Sequence, residues 1–245
     1  MRRREFLAMI SVGAAVTCGN RRFVVHGDPM SDTPKPLVIY HHGSSENAQS
    51  IKTDAKNGII AALKSNGYLI ASSDAHGNNW GNQAAIDDYV NLYGFVESSC
   101  ISDKVLFLCQ SMGGLSGLLS LVDGRIPNVK GWYGIYPCTN LANNYAQPGL
   151  TSGINSAYSI SGGNPYATAT AGHDPNLISA SSFPNIRYRA SASYSDTLVT
   201  RAGNWDLMAT ILSGKLEAST LNATGDHGHV SHFSAADVID FFNRC

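Results

Sequence analysis

The chain has 245 residues, with 17 Lys and Arg against 18 Asp and Glu for a formal net charge of −1. Only 14% of the residues are charged while 43% are hydrophobic, which excludes a disordered chain, since disorder couples low hydrophobicity to high net charge. Near-neutrality supplies no basic field for phosphates, so nucleic acid is not an expected partner, and no apolar run reaches the roughly 18 residues of a membrane span.

Residues 1–20 read MRRREFLAMISVGAAVTCGN. Arg2, Arg3 and Arg4 precede Glu5, Phe6 and Leu7 and a weakly apolar stretch from Ala8 to Val16. That order looks like a twin-arginine export signal and implies a periplasmic or extracellular protein. The competing reading is a basic N-terminus on a cytoplasmic protein. Thr17 before Cys18 suits a lipid attachment site poorly. With residues 1–20 removed, Cys100, Cys109, Cys138 and Cys245 remain, and their pairing is open.

Short β-rich runs then alternate with helical patterns, which predicts a mostly parallel sheet flanked by helices in one domain over residues 21–245. Arg22 to His26 and Pro36 to Tyr40 read as strands joined by a polar turn from Asp28 to Pro34. Ile59, Ile60 and Leu63 share one face of a helix from Gly58 to Ser65, which Gly67 ends. Tyr68 to Ser72 is a strand, Asp74 to Asn82 a Gly/Asn loop, and Ala84 to Glu97 a helix. Val105 to Cys109 suits a fully buried central strand. Met112 to Val122 reads as helix and Gly131 to Tyr136 as strand. Arg187 to Ala192 and Leu216 to Asn222 are strands on either side of a helix from Asn204 to Leu212, and a helix from Ala235 to Asn243 closes the chain. From Thr139 to Phe183 the one charged residue is Asp174. A loop of that length is expected to be an insertion over the active site.

The stretch Cys109-Gln110-Ser111-Met112-Gly113-Gly114 places a serine between a buried-strand pattern and a helix pattern. A serine at such a sharp turn is held in a strained conformation with its hydroxyl above the sheet, beside the free N–H groups of a helix start. This resembles the Gly-x-Ser-x-Gly elbow of the α/β-hydrolase family, with Cys109 where the first glycine stands. Cys109 at a strand end reads as a buried, inert thiol rather than a nucleophile. His41-His42-Gly43-Ser44-Ser45, after the strand ending at Tyr40, is similar to the family's His-Gly loop. The resemblance implies an oxyanion hole from the backbone N–H groups of Ser44 and Met112, with His41 and His42 as bracing residues.

The family's order of serine, acid, histidine implies Asp196 as the acid, in the turn Ser193-Tyr194-Ser195-Asp196-Thr197 after a late strand. A helix cap is the competing role for Asp196, and Asp174 and Asp206 are weaker candidates. In Gly225-Asp226-His227-Gly228-His229-Val230-Ser231-His232, His227 best resembles the family's histidine turn, ahead of His229 and His232. A metal site of these histidines with Asp226 is a further alternative, but it leaves the elbow unexplained. No metal or cofactor is implied. His26, His76 and His173 read as structural or surface residues, and Trp80, Tyr145, Tyr158 and Tyr166 are assigned no substrate contact. The extra N-terminal strands of larger hydrolases are not expected. Together these features imply a serine esterase with Ser111, Asp196 and His227 as its triad, acting on a small-molecule or polymeric ester. The alternatives are a peptidase, an acyltransferase, or a silent binding module on the same fold.

Overall fold

The computed structural model describes residues 15–18, 21–26, 33–98 and 102–245. Most of the segment read as an export signal, the centre of the turn from Asp28 to Pro34, and Cys100 lie outside the described residues. The strands are β1 (Ala15–Cys18), β2 (Arg21–His26), β3 (Lys35–His41), β4 (Leu69–Ser73), β5 (Ser102–Gln110), β6 (Val129–Ile135), β7 (Arg187–Ala192) and β8 (Glu217–Asn222). They form one sheet in the order β1-β2-β4-β3-β5-β6-β7-β8. β1 and β2 run antiparallel to their neighbours, and the remaining pairs are parallel.

One feature of this edge is left open by the sequence reading and a second differs from it. β2 does not lie against β3, the next strand in the chain. It pairs with β4, whose other side carries β3. The extra N-terminal strand is also present: β1 pairs with β2 from Ala15 opposite Val24 to Cys18 opposite Arg21. These four residues fall inside the segment read as an export signal, so removing residues 1–20 would remove an edge strand.

The helices that cover the sheet are α1 (Asp54–Ser65), α2 (Gln83–Glu97) and α3 (Gly113–Asp123), then α4 (Leu141–Tyr145), α5 (Pro148–Tyr158) and α6 (Tyr166–Ala169), and finally α7 (Trp205–Ile211) and α8 (Ala235–Arg244). Alternation along the central strands sorts the core into two layers. Leu37, Ile39, Val105 and Phe107 face α2, α3 and α7, packing with Tyr89, Leu118 and Met208. Val38, Tyr40, Leu106 and Leu108 face α1 and α8, packing with Ile59, Leu63, Phe241 and Phe242. In the first layer Trp132 is fully buried and stacks on Trp205 with ring centres 5.7 Å apart. Truncating a ring of that size leaves a void, so Trp132→Ala is expected to cost about 3–5 kcal/mol of stability. A urea midpoint equal to the wild type's would show that the layer can close the gap.

The uncharged stretch from Thr139 to Phe183 is not a bare loop. It folds as α4, α5 and α6 followed by 3-10 turns at Pro175–Leu177 and Ala180–Ser182. Leu141, Ile154 and Tyr158 close over Trp80, Met112 and Leu115 to form a third, smaller core. Polar anchors fix the insertion to the body: Asn204 Oδ1 accepts the N–H groups of Thr139 at 3.0 Å and Asn140 at 3.2 Å. Asp174 Oδ2 accepts the Ala142 N–H at 2.9 Å, so Asp174 serves the insertion's own backbone. Among the described residues no helix is long and apolar enough to cross a membrane.

Candidate active site

β5 ends at Gln110, and the chain turns through Ser111 into α3. Ser111 has φ of 48°, in the left-handed region that costs a non-glycine residue energy. The surrounding backbone holds it there. The Ser111 N–H donates to Ile135 O at 3.0 Å, and Ser111 O accepts from Gly114 and Cys138, both at 2.8 Å. Gly113 is required by close approach: a Cβ there would enter the His41 carbonyl and clash with that of His42. Gly117 plays the complementary part for Cys109. Its missing side chain leaves the space that the Cys109 thiol fills, so α3 accommodates the elbow's departure from glycine. Cys109 is completely buried, and burial pushes its pKa well up, away from the reactive thiolate. Cys109, Cys138 and Cys245 are free thiols.

The structure brings the three candidate triad residues into one hydrogen-bonded chain. His227 Nε2 lies 2.9 Å from Ser111 Oγ. His227 Nδ1 lies 2.7 Å from Asp196 Oδ2. The second oxygen of Asp196 accepts the N–H groups of Leu198 at 3.0 Å and Val199 at 2.8 Å. The capping geometry and the histidine contact are therefore made by one carboxylate, which is 4% exposed. Asp226 acts as a latch between loops. Its Oδ1 accepts the Thr197 and His227 N–H groups, each at 2.8 Å, and these bonds hold its carboxyl below the usual range, the Thr197 N–H first.

The other histidines are elsewhere. His229 bonds its own turn through Ser231. His232 is buried 3.4 Å from Ser191 O, and burial lowers its pKa. Among the described residues no three His, Cys, Asp or Glu side chains converge as a metal site would need. His41 is fully buried against Tyr89, with Nδ1 3.1 Å from Ser116 Oγ, and burial drives its pKa well down. His42 bridges Gly43 O at 2.7 Å and Asp74 O at 3.0 Å. Both histidines thus brace the loop. His76 sits 3.4 Å from Asp88, His173 bonds Ala171 O at 3.1 Å, and buried His26 has its pKa lowered to about 4, first by desolvation. Asp206 pairs with Arg201 at 2.9 Å, away from the triad.

The loop after β3 makes a tight turn. Glu46 N–H donates to Gly43 O at 3.3 Å, Ser45 has φ of 61°, and Asn78 Oδ1 accepts the Ser45 N–H at 2.5 Å. Among the described residues, the backbone N–H groups of Ser44 and Met112 have no hydrogen-bond acceptor. Ser111, Ser44 and His227 open onto a cavity of about 260 Å³. Its apolar wall is Trp80, Tyr136, Leu150, Leu198 and Val199, and no Lys, Arg, Asp or Glu lines it. Leu150 comes from the insertion, so that segment does reach the site.

Sequence reasoning missed Tyr136, Leu150 and Leu198. Tyr136, with φ of 37°, meets His227 edge-on at 4.5 Å between ring centres. Its position just past the strand beside the nucleophile strand was the available signal. Trp80 lines the cavity, and its carbonyl accepts the Tyr158 hydroxyl at 2.9 Å. Tyr145 and Tyr166 instead stack on each other at 4.3 Å.

Comparison of the sequence with family models and with curated proteins found no match. Solved structures do match. An S-formylglutathione hydrolase from Agrobacterium tumefaciens superposes with a TM-score of 0.67 at 10% identity, over 94% of this chain and 98% of that one. Carboxyl esterase 2 from the fungus Tuber melanosporum gives 0.66 at 17% identity, over 94% and 81%. Oligopeptidase B from Leishmania major gives 0.69 at 14% identity over 91% of this chain, which spans 34% of that longer protein. With the strand order and the strained serine between β5 and α3, these likenesses show that the chain has the α/β-hydrolase fold.

Proposed function

We propose that the protein is a serine hydrolase that cleaves an uncharged carboxylic ester through an acyl-enzyme on Ser111. The observation that carries this reading is the relay from Ser111 through His227 to Asp196, with contacts of 2.9 Å and 2.7 Å, at the mouth of an uncharged cavity. Ser111 Oγ attacks the carbonyl carbon while His227 Nε2 takes its proton. The oxyanion formed is met by the free N–H groups of Ser44 and Met112. His227 then returns the proton to the departing alcohol, and a water repeats the sequence to release the acid. Asp196 holds Nδ1–H and steadies the imidazolium that forms. The apolar wall of Trp80, Leu150 and Leu198 supports an uncharged acyl group from a small or polymeric ester. Export belongs to the same proposal, supported by the run from Arg2 to Leu7.

Purified protein is expected to take a fluorophosphonate probe at Ser111 and to hydrolyse short p-nitrophenyl esters faster than the matching p-nitroanilides. Failure of wild-type Ser111 to label would overturn the reading. An anilide cleaved as fast as the ester would shift it to a peptidase, and partition of product to an added alcohol would shift it to a transferase.

A further inference from the structure

Beneath the candidate oxyanion loop lies a buried polar cluster that the relay does not use. Glu46 Oε1 accepts Lys56 Nζ at 2.6 Å and Gln110 Nε2 at 3.0 Å. Glu46 Oε2 accepts the Gly43 N–H at 3.0 Å. The Tyr40 hydroxyl lies 2.9 Å from that same oxygen and 2.8 Å from Gln110 Oε1, and can give its one proton to either. Lys56 is only 5% exposed at its side chain and Glu46 20%.

The placement of these contacts along the chain is informative. Gly43 immediately precedes Ser44, and Gln110 immediately precedes Ser111. One carboxylate therefore grips the residue before each half of the chemistry. Gly43 has no side chain to interfere, and a Cβ there would come within 3.3 Å of the Gln110 amide nitrogen. Two buried charges are costly to desolvate, and replacing such a pair with apolar residues is often neutral for stability. A carboxylate meeting donors on both oxygens is suited to fixing geometry.

We propose that Glu46, paired with Lys56, is a positioning residue: it ties the oxyanion loop to the nucleophile strand and sets the Ser44 N–H against the Ser111 hydroxyl. This rests on the hydrolase reading above. Lys56, Gln110 Nε2 and the Gly43 N–H can only donate to Glu46, so Gln cannot replace it: its amide nitrogen would face either Lys56 and Gln110 or the Gly43 N–H.

The test compares the full-length wild type with Glu46→Gln and Lys56→Gln, using kcat and KM per titrated site and the rate of Ser111 phosphonylation. Glu46→Gln is expected to lower kcat and phosphonylation by about 10²-fold with KM little changed, the scale of losing one oxyanion donor. A purely structural role would instead reduce the number of titratable sites and leave each survivor at full rate. Lys56→Gln keeps the carboxylate but strips its cation. The titratable groups facing Glu46 are then Tyr40 from β3 and Tyr136 after β6, both held neutral by burial. Its activity is expected to match the wild type at alkaline pH and to fall more steeply toward acid as Glu46 takes a proton, giving an acid limb with one ionisation more than the wild type's. If Glu46→Gln does not fold, Lys56→Gln decides alone: the steeper limb supports the role, and an unchanged pH profile overturns it. Unaltered per-site rates in a folded Glu46→Gln also overturn it. No labelling of wild-type Ser111 would sink the hydrolase reading beneath, whereas a labelled wild type with unaffected variants sinks only the role of Glu46.

Discussion

Ser111→Ala is expected to lower kcat by about 10⁴–10⁶-fold, with a much smaller change in KM. The size of the effect follows from the geometry. The hydroxyl is held above the end of β5 by a backbone strained to φ of 48°, and it is the proposed nucleophile, 2.9 Å from the imidazole. Alanine leaves the cavity wall and the Ser44 and Met112 donors in place, so substrate still binds and the residual rate reflects binding and the oxyanion hole. Esterase activity in Ser111→Ala within about tenfold of wild type would place the chemistry elsewhere.

Asp196→Asn is the second large effect, and its expected loss is about 10⁴-fold in kcat at neutral pH. The fold should survive, because the Leu198 and Val199 N–H groups hold the position of one oxygen and asparagine keeps an oxygen there. The amide nitrogen then takes the place of Oδ2, 2.7 Å from His227 Nδ1. To accept from it, the imidazole must carry its proton on Nε2, which turns a donor toward Ser111 and removes the base. The variant should melt close to the wild type while losing activity. A kcat near the wild type's would show that Asp196 only caps its turn.

Much of this site was legible in the chain. The elbow announces itself because strand, small residues and helix must coincide within ten positions. Asp196 and His227 are named by the family's chain order applied to the turns after late strands, and the structure places both in hydrogen-bonded sequence with Ser111. What could not be read were residues whose importance comes from tertiary neighbours. Glu46 and Lys56 look like ordinary surface charges until β3, α1 and β5 converge. The composition of the insertion hides its helices, although Leu150, Ile154 and Tyr158 recur every fourth residue after Pro148. The Gly, Ser, Thr and Asn between them have poor helix propensity, so α5 is stabilised by packing against Trp80 rather than by its own preferences. At the other end, β1 escaped notice because its apolar residues also suit an export signal. Nor does local pattern reveal that β2 crosses to β4 instead of its sequence neighbour, since pairing on an edge is decided by the whole sheet.

The sheet order has a consequence for how competence is acquired. Ser111 comes from the middle of the sheet, its base is 116 residues further along the chain, and its orienting acid lies between them on the far side of β7. Neither the N-terminal nor the C-terminal half of this polypeptide contains the whole relay, and closing such long loops is slow. A refolding chain can bury β3, β5 and β6 while the acid and the histidine of the relay are still unplaced. On the proposed mechanism, turnover needs the loops after both β7 and β8, joined by Asp226, so regained activity is expected to report that these late elements have docked.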